Sequence, residues 1–212
     1  CGVSPGEPAL ALAKQVIDLP GTEFRGLQAY EGHCVFIDDL AERTEKTRRS
    51  MMQAVETRYL LEENGLSVAC LSGCSSSTAK ISGTMEGMTE VQAGTYATMD
   101  WRYHQLIPEF DIALALLATV ISHQSDRAVL DAGVKALGAE FGPPKINGAP
   151  EAEIPFFGAE EHCIVKQAPD WKVGQTVQVY SSHACTTCNL HPHIFVHQNE
   201  RVVDVWKIDG RG

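Results

Sequence analysis

The sequence predicts an α/β domain followed by an antiparallel β domain. Three observations carry that reading. Helix-like and strand-like stretches alternate as far as about residue 104. Beyond Pro108 the chain becomes a series of short β-rich runs separated by Gly, Pro and Asn turns, with no long helix. With 212 residues, 44% of them hydrophobic, it is long and apolar enough to bury a core in each half. The expected domains are residues 1–107 and 108–212.

Taken in order, Pro8 to Asp18 carries Leu10, Leu12, Ala13, Val16 and Ile17 at helical spacing, and Leu19-Pro20-Gly21 stops it. Phe24 to Ala29 is a short strand. Leu40 to Asn64 is a long amphipathic helix with Met51, Met52, Val55, Tyr59 and Leu60 on one face, ended by Asn64-Gly65. Ser67 to Ser72 reads as a buried strand, Gly73 to Thr78 as a polar turn before a short helix, and Thr89 to Ala93 as a third strand. Strands alternating with helices imply a parallel sheet. Three such units do not close a barrel of eight strands. The β-rich runs that follow are Ile112–Ser122, Arg127–Asp131, His162–Lys166, Gln175–Tyr180, His193–His197 and Val202–Ile208.

A net charge of −10 argues against a nucleic-acid backbone or an anionic membrane surface as partner. The longest apolar run, Ile112 to Ile121, is about half of a membrane span. Seven cysteines, an odd number spread through a chain of ordinary size, fit reduced cytoplasmic thiols better than a disulfide framework. Cys34, Cys70 and Cys163 read as core thiols. The chain opens on Cys1-Gly2-Val3-Ser4-Pro5-Gly6, which is no signal peptide. A processed chain or a piece of a longer protein is expected.

Two turns share a chemistry. Gly73-Cys74-Ser75-Ser76-Ser77-Thr78 follows one strand and Gly94-Thr95-Tyr96 the next. Gly, Ser and Thr at a helix start offer N–H and hydroxyl groups to an anion such as a phosphate. The same run also reads as a plain Ser-rich turn that caps a helix. A second cluster is His183-Ala184-Cys185. In an extended segment these two side chains share a face, so one imidazole and one thiolate meet a single divalent cation, with coordination positions left open. Cys188, His191, His193 and His197 lie close in sequence, which leaves a closed structural zinc site, or no metal at all, as alternatives.

Several segments resemble the D-serine dehydratase and D-threonine aldolase family, pyridoxal-phosphate enzymes of the alanine-racemase fold type. They are Phe24 to His33 (FRGLQAYEGH), Leu71 to Thr78 (LSGCSSST), Glu90 to Tyr96 (EVQAGTY), Asp131 to Leu137 (DAGVKAL), and His183 to Thr187 with Asn189-Leu190-His191. The resemblance implies a partial (β/α)8 barrel, its C-terminal strands only, followed by the β domain. It implies pyridoxal 5′-phosphate held through Tyr30, Gly73, Ser75, Ser76, Ser77, Thr78, Gly94, Thr95 and Tyr96. It also implies a divalent metal, zinc first with manganese or magnesium as alternatives, held by His183 and Cys185.

In that family a lysine upstream forms the bond to the coenzyme. None of the eight lysines here stands on an early barrel strand, so an upstream segment carrying it is expected as a partner. Tyr30, His183 and Cys185 are the expected catalytic residues. The His-x-Cys pattern points to a dehydratase that turns a D-3-hydroxy amino acid, such as D-threo-3-hydroxyaspartate or D-serine, into an oxo acid and ammonia. A D-threonine aldolase-type cleavage is the alternative, and a metal-binding module without chemistry is a further one. The resemblance also implies a homodimer.

Overall fold

A computed structural model describes residues 2–212. They divide into two compact units, one ending at Gly94 and the other beginning at Thr95. The boundary expected at 107/108 falls just past the first helix of the second unit.

The first unit runs α1 (Glu7–Asp18), β1 (Gly26–Ala29), α2 (Leu40–Glu63), β2 (Cys70–Gly73), α3 (Ala79–Ser82) and β3 (Glu90–Val91). Its three strands form a parallel sheet in the order β1-β2-β3, with Ala29 opposite Gly73 and Gly73 opposite Val91. Leu10, Ala13, Leu61 and Val68 form one core cluster, and Ala54, Val55 and Leu71 form another beneath the sheet. The Asp39 side chain caps α2 by accepting from the Glu42 N–H at 2.7 Å.

The inward face of α2 differs from expectation. Met51, Val55 and Leu61 point in, together with Arg43 and Thr47, whereas Met52 and Tyr59 are exposed. Arg43 is accommodated because its guanidinium donates to the Ile37 carbonyl at 2.6 Å. Lys46, Arg48 and Arg49 lie on the solvated side of the helix.

The second unit runs α4 (Trp101–Leu106), β4 (Leu116–Gln124), β5 (Arg127–Leu130), β6 (Lys145–Ile146), β7 (Cys163–Lys166), β8 (Thr176–Tyr180), α5 (Ala184–Leu190), β9 (His193–Gln198) and β10 (Arg201–Lys207). Five strands make an antiparallel sheet in the order β6-β8-β4-β5-β7, and β9 pairs with β10 as a separate hairpin. Alternate residues of β4, β5, β7 and β8 face inward, so Val120, Leu130, Val165 and Val179 build one core with Leu137 and Trp171. The first strand begins at Leu116 and not Ile112, because the N–H groups of Ala113 and Leu114 donate to the Thr98 carbonyl instead of a ladder.

Cys34 and Cys163 are core thiols as expected, while Cys70 is only partly buried. No helix among the described residues is long and apolar enough to cross a membrane.

Candidate functional site

In the first unit the singled-out residues gather at the C-terminal edge of the parallel sheet. Tyr30 follows β1, Cys74 to Thr78 follow β2, and Gly94 lies just beyond β3. The turns are tied together. Glu31, fully buried, accepts from the Cys74 N–H at 3.1 Å, and the Gln92 N–H donates to the Gly73 carbonyl at 2.7 Å. Gly73 is required by this packing, since a Cβ there would run into the Ala29 carbonyl. Cys74 adopts a φ of 62°, which turns the chain sharply out of the strand.

The serine run behaves differently from the expected open cradle. Ser75, Ser76, Ser77 and Thr78 are all buried. The Thr78 hydroxyl accepts from the Ser75 N–H at 2.9 Å, the Ser75 hydroxyl from the Ser77 N–H at 3.2 Å, and the Ser77 hydroxyl donates to the Val35 carbonyl at 2.8 Å. The Ser75 and Thr78 hydroxyls are therefore committed within the turn, and that of Ser77 to Val35. The helix they precede is a single turn of four residues, so its dipole adds little. Tyr30 is about half exposed, with its ring lying over Gly32, and is accessible from solvent. Gly94 is open too: a Cβ there would meet nothing within 4 Å.

In the second unit, Thr95 opens a single turn of tight helix and Tyr96 stands exposed, its ring edge-on to Phe110 at 6.0 Å. The other cluster of this unit forms around the start of α5. His183 is the residue capping that helix, with an extended backbone, and Cys185 is already in its first turn. The extended His-x-Cys segment inferred from spacing is thus half right. The pair straddles a strand-to-helix transition instead of sharing the face of a strand.

The His183 ring is held from two sides. Its Nδ1 lies 3.3 Å from Glu140 Oε2, too oblique for a straight hydrogen bond, and its face packs on Phe141 with centroids 4.4 Å apart. Glu140 Oε2 also accepts from the Thr186 hydroxyl at 2.9 Å. Burial opposes ionisation of Glu140, but its own N–H, the Thr186 hydroxyl and His183 outweigh that and hold its carboxyl below the usual range.

The loop that carries Glu140 is the bed for α5. The Gly138 N–H donates to the Thr187 hydroxyl at 3.0 Å, that hydroxyl donates to the His183 carbonyl at 2.7 Å, and His191 Nε2 lies 2.7 Å from the Ala136 carbonyl. Burial pushes the Cys185 thiol up, and the carboxylates of Asp100 and Glu140 push it further. Asp100, fully buried, is raised by the same desolvation.

Among the described residues no three His, Cys, Asp or Glu side chains are arranged to hold a metal, so a closed zinc site from Cys185, Cys188 and the following histidines is not formed. What remains is a two-donor set, one imidazole and one thiol. Nitrogen and sulfur donors suit zinc, and two of them leave positions for substrate and water. The residues present therefore fit a catalytic ion better than a structural one. Sequence reasoning missed Asp100, Glu140 and Phe141. An Asp one position before a helical Trp-Arg-Tyr is a capping signal that exposes the first, whereas nothing local marks the other two.

Residues 113–197 match the domain family described as Putative serine dehydratase domain. Along its whole length the chain is 38% identical to a D-threonine aldolase of an Arthrobacter species, covering 58% of that protein. Over 93% of its length it is 28% identical to the D-threo-3-hydroxyaspartate dehydratase of Delftia sp., covering 59% of it. The crystal structure of a D-threonine aldolase from Filomicrobium marinum superposes with a TM-score of 0.92 at 29% identity, over 98% of this chain and 58% of that one. At the level of fold alone, alanine racemase from Bacillus anthracis superposes with a TM-score of 0.60 at 14% identity, over 98% of this chain and 64% of that one. The chain thus spans somewhat more than half the length of the curated relatives it matches.

Proposed function

We propose that this chain, which matches a serine dehydratase-type domain and is similar along its length to D-threonine aldolase, is part of a pyridoxal-phosphate-dependent, metal-assisted lyase of D-3-hydroxy amino acids. The observation that carries the reading is the His183–Cys185 pair at the start of α5, its imidazole backed by Glu140. The coenzyme would supply the electron sink for the substrate's α-carbon, and a divalent ion would supply a Lewis acid for its 3-hydroxyl.

The residues have separable tasks. Glu140 at Nδ1 of His183 leaves Nε2 as the nitrogen for the ion. Cys185 provides the second donor as a thiolate. Phe141 covers the ring and keeps water off one side of it. Tyr30, at the exposed edge after β1, lies against the coenzyme. The turn of Gly73, Ser75, Ser76, Ser77 and Thr78 takes the phosphate by exchanging the internal bonds that its Ser75 and Ser77 N–H groups make for bonds to the anion. Gly94, where a Cβ would meet nothing within 4 Å, supplies the more open side of that grip. On this reading β1 to β3 are consecutive strands of a (β/α)8 barrel, the reactive lysine lies on an upstream segment, and the enzyme is a cytoplasmic homodimer.

Two reactions use this machinery. Loss of the 3-hydroxyl, yielding an oxo acid and ammonia, is favoured by Cys185 as the sulfur donor. Deprotonation of the same hydroxyl with cleavage of the Cα–Cβ bond, yielding glycine and an aldehyde, is favoured by the higher identity to the aldolase. The whole-chain likeness rests on many more residues than one ligand does, and it tips the balance toward carbon–carbon cleavage. Incubating the complete enzyme, upstream lysine segment included, with D-threonine, D-serine and D-threo-3-hydroxyaspartate decides: glycine plus aldehyde marks the aldolase, and ammonia plus oxo acid the dehydratase. Neither product from any of the three, with coenzyme and metal supplied, overturns the proposal.

A further inference from the structure

We infer that Asp100 is the positioning residue of the His183–Cys185 pair, a buried carboxylate that sets the start of α5 so that both donors reach one ion. The inference rests on reading that pair as the metal-binding one.

Asp100 is wholly shut off from solvent. One oxygen accepts from the Tyr103 N–H at 2.8 Å and so caps α4. The other reaches across 84 positions to accept from the Ala184 N–H at 3.1 Å. The Trp101 N–H beside it donates to the Ser181 carbonyl at 2.8 Å. The segment leading into the metal pair is therefore gripped at Ser181 and again at Ala184 by two adjacent residues, 100 and 101.

The position of the grip matters. Ala184 is the first residue of α5 and lies between the two donors. The His183 side chain makes no cap bond to that helix. A helix of seven residues with a Thr-Thr-Cys-Asn interior has little propensity of its own to start at that residue. Asp100 supplies the missing acceptor, which fixes the backbone turn that separates imidazole from thiol.

The test uses Co²⁺ as the probe on the full chain, because a thiolate-to-cobalt charge-transfer band reports Cys185 ligation directly. Asp100→Asn keeps the shape but removes one acceptor and the charge. Ala184→Pro leaves Asp100 intact and deletes only the N–H it accepts; proline is tolerated at the first position of a helix. Both variants are expected to bind Co²⁺ roughly 10- to 100-fold more weakly, and to lose most of the band at a concentration that saturates the wild type. Ala184→Pro decides the matter if Asp100→Asn does not fold. Wild-type affinity and an intact band in a folded variant of either kind overturn the role of Asp100. A wild type that shows no thiolate band, or a His183→Ala variant that keeps the wild-type affinity, overturns the metal reading itself and the inference with it.

Discussion

Nδ1 of His183 lies 3.3 Å from Oε2 of Glu140, and the same carboxylate oxygen takes the Thr186 hydroxyl at 2.9 Å. A carboxylate behind an imidazole fixes which nitrogen faces a metal and raises its basicity. Glu140 is about half exposed, so removing its charge does not disturb a core. Glu140→Gln should therefore bind Zn²⁺ roughly 10- to 100-fold more weakly in a chelator competition, with an unchanged melting temperature. Equal affinity would mean that Glu140 is only a neighbour of the ring.

Metal binding should be coupled to proton release. Burial, then Asp100 and then Glu140 raise the Cys185 thiol above its ordinary range, so it is protonated in neutral solution without metal. A thiolate ligand must lose that proton. Apparent Zn²⁺ affinity is expected to rise about tenfold per pH unit between roughly pH 7 and 8. Calorimetry in buffers of different ionisation enthalpy should count about one proton released per ion. A flat dependence over that range would argue against Cys185 as a ligand.

Gly138 is a steric hinge for the same site. A Cβ there would strike the Thr186 hydroxyl and crowd the His183 carbonyl. Gly138→Ala is expected to cost about 1–3 kcal/mol, read from denaturant unfolding. Much of that loss should be recovered in the Gly138→Ala/Thr186→Ala double variant, because the obstructing atom is gone. Additive losses would show that the strain lies elsewhere.

The core of the second unit carries its own pH signature. Burial pushes the Cys163 thiol up to about 12. The folded chain then holds that proton where the unfolded chain has released it. The stabilising contribution is complete below the ordinary thiol value of 9.0 and is lost as pH climbs from there toward about 12. The expected slope is roughly 1 kcal/mol per pH unit. Urea unfolding of wild type and Cys163→Ala across that interval should show a shallower fall in the variant. Parallel curves would contradict the assignment.

Much of this architecture is legible in the sequence, and the illegible part has a common cause. The alternation in Thr176–Tyr180 and the Asn64-Gly65 stop after α2 are local signals, and the elements appear where those signals place them. The start of α5 is not local. Ser-Ser-His-Ala-Cys reads as extended chain, and it turns helical because Asp100 and the loop at Gly138 supply distant partners. Glu140 stands 43 positions before the ring it contacts, with no periodicity linking them. The serine run carries a second non-local feature. Its composition is that of an anion cradle, yet Ser75, Ser77 and Thr78 satisfy one another and Val35, a choice that only the folded turn reveals.

The most direct measurement is turnover of a D-3-hydroxy amino acid by the complete enzyme, upstream lysine segment included, with coenzyme, after a chelator strips the metal and a divalent ion is restored. Wild type should lose product formation on stripping and regain it with the ion, while His183→Ala and Cys185→Ala regain nothing at that ion concentration. Turnover that survives stripping, or returns in full in either variant, would contradict a cation working from that imidazole and that sulfur.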